Sequence, residues 1–238
     1  MAKAKTEWAV LEHGPIEKLA ENLWWVWGSL SGMSLKRNMT VVRLDSGELL
    51  IHNAVALGEA AMKEIEAFGT PAYLIAPSQY HRVDTARFKH RYPQLRVYTP
   101  RNARSKIEEV VKVDGTYEDL PARDDVRFES PVALGGLEGV MLVRSKDGTT
   151  VVLNDAVFNM DKKQDFLGYL ITTLMGSAPG PRVSRLAKAA IVKDKKGFRA
   201  DLERFAAMPD LVRVIVAHEK LASGADAAAA LRTAATYL

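Results

Sequence analysis

Three histidines and one aspartate stand where a folded chain can gather ligands. His52, His81 and His218 each fall at or just after the end of a run that reads as a buried strand. Asp155 follows Val151-Val152-Leu153-Asn154 in the same way. In open α/β sheets, side chains at such strand ends converge over the sheet edge, which is where ligands collect. The other two of the five histidines, His13 before Gly14-Pro15 and His90 among Arg87, Lys89 and Arg91, read as solvated surface residues. Cysteine is absent. That removes disulfide scaffolds, thiol nucleophiles, zinc fingers and iron–sulfur sites together, so any metal must sit on His, Asp or Glu. Ser78 has no assignable base and is set aside as a nucleophile. His52 is expected to point away from Asn53, because successive strand residues face opposite sides.

The elements that must carry these residues alternate along the chain. Thr40–Leu44 and Leu49–His52 flank Asp45-Ser46-Gly47 and read as a hairpin. Gly58 to Phe68 has helical spacing and stops at Gly69, Ala72 to Ala76 is a short buried strand, and Asp84 to Tyr92 is a basic helix ended by Pro93. Arg96 to Tyr98 reads as a strand and Ala103 to Val111 as a helix. Val126–Ser130, Gly139–Val143 and Thr150–Leu153 follow as strands, the last two joined through Lys146-Asp147-Gly148 as an antiparallel pair. Helices are expected over Gln164–Met175, Ser184–Val192 with Ser184 as N-cap, and Gly197–Ala207. Leu211–Ala217 is a last buried strand and Ala225–Tyr237 a closing helix. The mixture predicts an α/β fold with helices outside its sheets and, with no long linker, a single domain over residues 1–238.

The chain has 238 residues, 47% of them apolar, and a formal charge of +4. A domain of this size buries enough apolar surface to need no disulfide or structural metal. The charge is local: Arg182 to Arg204 carries a net +5 and leaves −1 elsewhere. Met1 to Glu7 is charged with no apolar run after it, and the most apolar window, Phe166 to Met175, is about half a membrane span. A soluble cytoplasmic protein is the expectation.

The order of these elements, with Leu74-Ile75-Ala76-Pro77-Ser78-Gln79-Tyr80-His81, Val152-Leu153-Asn154-Asp155-Ala156-Val157-Phe158 and Val214-Ile215-Val216-Ala217-His218, resembles the metallo-β-lactamase-like superfamily. It is most similar to a branch known only as a domain of unknown function, over roughly residues 20 to 236. The resemblance implies a four-layer αβ/βα sandwich with mixed sheets, whose strand-end loops hold one or two metal ions. Laying the last His of the family's H-x-H-x-D-H motif on His81 puts its earlier ligands at Ala76, Ser78 and Tyr80. The next family His falls on Gly136, which cannot ligate. One of the usual two metal positions thereby loses all its histidines. The other keeps His81, Asp155 and His218, lacking only the Asp replaced by Tyr80.

Two imidazoles and a carboxylate form a three-ligand catalytic set for zinc, and the same set suits non-heme iron; manganese is a further alternative. The resemblance therefore implies a hydrolase-like protein of unknown substrate, with at most one ion and a metal-activated water, or a metal-free relative that binds an anionic ligand or a partner. Tyr80 and Asn53 are candidate catalytic, polarising groups beside it, although an ordinary packed tyrosine is the simpler reading of Tyr80.

A helical insertion at about 162–208 carries the positive charge. It could act as a lid attracting a small anionic substrate. The simpler reading is a solvated face with its apolar side on the core or on a second subunit of a homodimer. Nucleic-acid binding fits the pI of 9.2, but the excess charge lies in one short segment and no RNA-binding signature is present. Trp24-Trp25-Val26-Trp27 could stack bases, though core packing is the more ordinary role.

Overall fold

The computed structural model describes residues 6–238; of the charged N-terminal stretch, residues 1–5 lie outside them. The first half forms β1 (Glu17–Ala20), β2 (Leu23–Leu30), β3 (Met33–Arg43) and β4 (Glu48–His52) as an antiparallel meander. It continues through α1 (Glu59–Phe68), β5 (Thr70–Ile75), α2 (Thr85–Arg91), β6 (Arg96–Thr99), α3 (Arg104–Ile107) and β7 (Gly115–Thr116). From β4 to β7 the strands run parallel, and all seven lie in chain order in one mixed sheet.

The second half supplies β8 (Val126–Glu129), β9 (Val140–Ser145), β10 (Gly148–Val152), β11 (Phe158–Met160), α4 (Phe166–Tyr169), β12 (Gly180–Arg182), α5 (Arg185–Ala190), α6 (Lys195–Ala206), β13 (Leu211–Ile215), β14 (Ala222–Ser223) and α7 (Ala225–Ala235). Five of its strands form a second mixed sheet in the order β14-β13-β10-β9-β8, in which β10 and β13 are parallel. β9 and β10 pair antiparallel through the Lys146–Gly148 turn, as expected.

Period-two alternation separates the layers. On β4, Leu49 and Ile51 pack with Met62 and Ile65 of α1 and Phe88 of α2, whereas Leu50 faces the second sheet. There it joins Tyr73 and Ile75 of β5, Met141 and Val143 of β9, Val152 and Ile215. On the outer face of the second sheet, Val140, Leu142, Val151 and Val214 meet Phe198, Leu202 and Phe205 of α6 and Leu231 of α7. Helices, sheet, sheet and helices thus enclose three apolar seams, the αβ/βα sandwich expected. Trp24 and Trp25 are buried, Trp24 stacking on Phe68 at 3.8 Å, so neither is open to a nucleobase.

Two helices are shorter than their patterns. The expected helix over Ala103–Val111 is a 3-10 turn at Arg101–Ala103 followed by α3. Val110 and Val111 are poor helix formers, and Asp114 turns the chain back by accepting a hydrogen bond from the Val97 amide at 2.8 Å. The expected helix over Gln164–Met175 is α4 followed by a π turn at Leu170–Leu174. The Thr172 hydroxyl donates to the Gly168 carbonyl (2.7 Å) and accepts from the Lys163 amide (3.1 Å), which widens the helix locally. Ser184 caps α5 as expected, accepting from the Ala187 amide at 2.9 Å. Strands β1, β7, β11, β12 and β14 had no counterpart in the sequence reading, being two to four residues long.

Candidate metal centre

Two pairs of parallel strands, one in each sheet, end on one rim. β4 and β5 are in register up to His52 and Ile75, and β10 and β13 up to Val152 and Ile215. The chain leaves each strand through a short loop, and these loops carry Asn53, His81, Asp155 and His218. The two imidazoles and the carboxylate meet, with one ligand atom from each residue lying within 4.8 Å of the others. His81 Nε2 is 3.0 Å and His218 Nε2 is 3.2 Å from the same Asp155 Oδ1. All three residues are buried.

Each ring is set from behind. The Asn53 amide donates to the Asn38 carbonyl (2.7 Å), which leaves its oxygen facing His81 Nδ1 at 3.0 Å. An amide oxygen only accepts, so Nδ1 of His81 carries the proton. His218 Nδ1 likewise donates to the Lys36 carbonyl at 2.8 Å. With both Nδ1 atoms protonated, both Nε2 atoms face the Asp155 oxygen, the orientation that outer hydrogen bonds impose on metal-binding histidines. Two lone pairs and an acceptor oxygen at this range require positive charge among them, either protons on the rings or a cation in their place. Donors about 2.0–2.1 Å from a tetrahedral zinc lie roughly 3.3 Å apart; the two nitrogen–oxygen separations, 3.0 and 3.2 Å, are close to that, and the three donor atoms all lie within 4.8 Å of one another. The donor set fits a divalent ion.

Electrostatics agree with this pairing. Burial alone would raise the Asp155 pKa, but the charge of His81 and the hydrogen bonds from both histidines outweigh it and hold the carboxyl below the usual range. Burial works against the His218 imidazolium, yet its hydrogen bond to Asp155 and that charge lift its pKa above the ordinary value. His52 is buried on β4 apart from the trio; burial, with the His81 charge nearby, pushes it down to about 3.

A cavity of about 200 Å³ opens directly over the trio. His81, Asp155 and His218 form part of its wall, and Tyr80, 58% exposed, carries the one side-chain hydroxyl on that wall among the described residues. Asn53 lies behind His81 and does not line the cavity; its oxygen and amide both have partners within the protein. The replaced motif positions are apparent as well: Ala76 and Ser78 are buried, and Gly136 adopts a left-handed φ of 68° and receives the Asn102 amide on its carbonyl.

Three contributors escaped the sequence reading. Asn38 on β3 ties the loop of His218 to the first sheet: its amide group donates to the Val216 (2.8 Å) and Glu219 (3.1 Å) carbonyls. Lys36 acts only through its carbonyl, which no side-chain pattern reveals. Glu138, buried, accepts from the Asn154 side chain and from the Asp155 and Ala156 amides at 2.9–3.2 Å, clamping the loop that presents Asp155. Burial and the nearby Asp155 charge raise its pKa well above the carboxyl range. A lone acid inside the stretch Gly135–Gly139 was the available signal. Asn53, against the His81 ring, and Glu219, next to His218, both hold positive φ, 58° each, the kind of local strain that surrounding contacts must sustain.

Two mixed sheets between helices, with imidazole and carboxylate gathered at parallel strand ends, define a metallo-β-lactamase-like fold. Among solved structures, the DIM-1 metallo-β-lactamase exposed to ceftazidime matches with a TM-score of 0.62 at 14% identity, over 97% of this chain and 98% of that one. A second DIM-1 structure matches with 0.62 and 14%, over 94% and 99%. TMB-1 matches with 0.59 and 11%, over 96% and 98%. Likeness at such identity establishes the fold. No family model and no curated protein matches the chain.

Proposed function

We propose that the protein is a hydrolase working with one divalent cation, zinc by preference, held by His81, Asp155 and His218. The observation that supports it is the convergence of both Nε2 atoms on Asp155, with each Nδ1 anchored behind. A cation there supplies Lewis acidity, polarising a carbonyl or phosphoryl oxygen and acidifying water. The chain's own residues do the rest. Asn53 and the Lys36 carbonyl fix the ring orientations, Glu138 fixes the loop of Asp155, and the cavity sets an apolar wall beside the trio. In this reading Tyr80 offers its phenol to a substrate oxygen, and Asn53 serves as a positioning residue.

The test is metal analysis of protein purified without chelator, alongside His81→Ala and His218→Ala. One equivalent of metal in the wild type and loss in both variants is expected. Equally little metal in all three would overturn the proposal.

A further inference from the structure

We infer that the cavity over the trio takes an uncharged substrate, an ester of a medium-length aliphatic acid, with the chain lying along the cavity wall and the acyl carbon at the histidines. This rests on the hydrolase reading above and adds a substrate class to it. The wall is built from several independent elements, all apolar where they face the space. Leu30, Met33 and Leu35 come from the tip of the β2–β3 hairpin, Ile171 from the π turn, and Leu186 and Ile191 from α5 and its end. At the mouth Val83 and Leu186 are 51% and 43% exposed, so the apolar surface continues outward.

Charge on the wall does not favour an anion. Among the described residues Arg37 is the single Lys or Arg lining the cavity; its two terminal guanidinium nitrogens are tied to the Asp84 carboxylate and the Ala54 carbonyl, and only its buried Nε has no partner. The basic segment does reach the cavity, but through Leu186, Ala187 and Ala190. Its charged side chains lie elsewhere: Arg182, Arg185 and Lys188 line a separate depression with Tyr237. A bare carboxylate or phosphate placed along this wall would lose its hydration against mostly apolar side chains, with only the exposed Tyr80 hydroxyl and the buried Arg37 Nε as unpartnered side-chain donors among the described residues.

Size sets the chain length. At roughly 30 Å³ for a water-sized group, a cavity of about 200 Å³ holds a chain of about six or seven carbons. In the reaction, water's oxygen bonds to the acyl carbon, the bond to the alcohol oxygen breaks, and one hydrogen of water goes to each product, acid and alcohol.

The test is calorimetric binding of 1-butanol to 1-decanol, adipate, suberate and inorganic phosphate, to protein stripped of metal and to protein supplied with zinc. Affinity for the alkanols should rise about fourfold per added methylene, level off near six or seven carbons, and exceed that for adipate, suberate and phosphate. Ala190→Phe, which fills the cavity from a partly exposed helix position, and Leu186→Asp at the rim should each abolish the chain-length dependence while keeping the wild-type circular dichroism. With zinc bound, hydrolysis of p-nitrophenyl esters should follow the same series. Affinity independent of chain length, or tighter binding of phosphate or the dicarboxylates, overturns the inference. Zinc uptake without alkanol binding overturns it too and leaves the metal reading standing. Alkanol binding without zinc uptake supports the aliphatic pocket and removes the hydrolytic role.

Discussion

Two imidazoles share one carboxylate oxygen, and their geometry depends on what stands behind them. Asn53 is the clearest case, because it holds His81 through its side chain while its own backbone sits at a φ of 58°. Asn53→Gly removes the amide and accepts that backbone without strain. Metal affinity, measured by competition with a chromogenic chelator, should fall 10–100-fold. His52 makes a separate prediction. Its folded pKa of about 3 lies below the unfolded value near 6.5, so the unfolded chain binds the extra proton between these limits. Stability is therefore full above about pH 6.5 and is lost as pH falls toward 3. Urea denaturation at pH 7 and pH 4.5 should show about 2 kcal/mol less acid loss in His52→Gln than in the wild type.

Helix α5 connects local sequence to the cavity. Ser184 caps it, and the apolar side of the helix presents Leu186, Ala187 and Ala190 to the space above the trio. Ser184→Ala should cost about 1 kcal/mol in denaturant unfolding and weaken alkanol binding in parallel, since the wall it steadies becomes looser. The charge pattern of this segment was readable, and so was its amphipathic character. Which side met the cavity was not, because periodicity gives a helix a face without naming what the face touches. The same limit applied to Gln164–Met175, where the apolar spacing fits a helix but the Thr172 hydroxyl opens it into a π turn.

Binding at the trio joins both sheets, so an ion there should stabilise the entire fold. At a free zinc concentration 100 times Kd, linkage adds about 2.7 kcal/mol, which for a chain of this size raises Tm by roughly 5–10 °C. Thermal unfolding with zinc and then with excess chelator should show that shift in the wild type and none in His81→Ala. An equal shift in both would place the ion elsewhere.

Short continuous apolar runs such as Leu49–Ile51 and Val151–Leu153 were enough to locate the buried strands and their ends, because a strand covered on both faces is apolar at every position and this shows within a few residues. Absence of cysteine confined any metal to nitrogen and oxygen donors for an equally local reason. The meeting of His81 with Asp155, 74 residues away, followed from no spacing, and was expected through a resemblance alone. It depends on the parallel pairing of β4 with β5 and of β10 with β13, and on β3 bridging the two halves through Asn38. Those are long-range pairings that no short window of sequence contains. The tautomers and the apolar walls of the cavity belong to the same category: each is fixed by neighbours that arrive only when distant strands pack together.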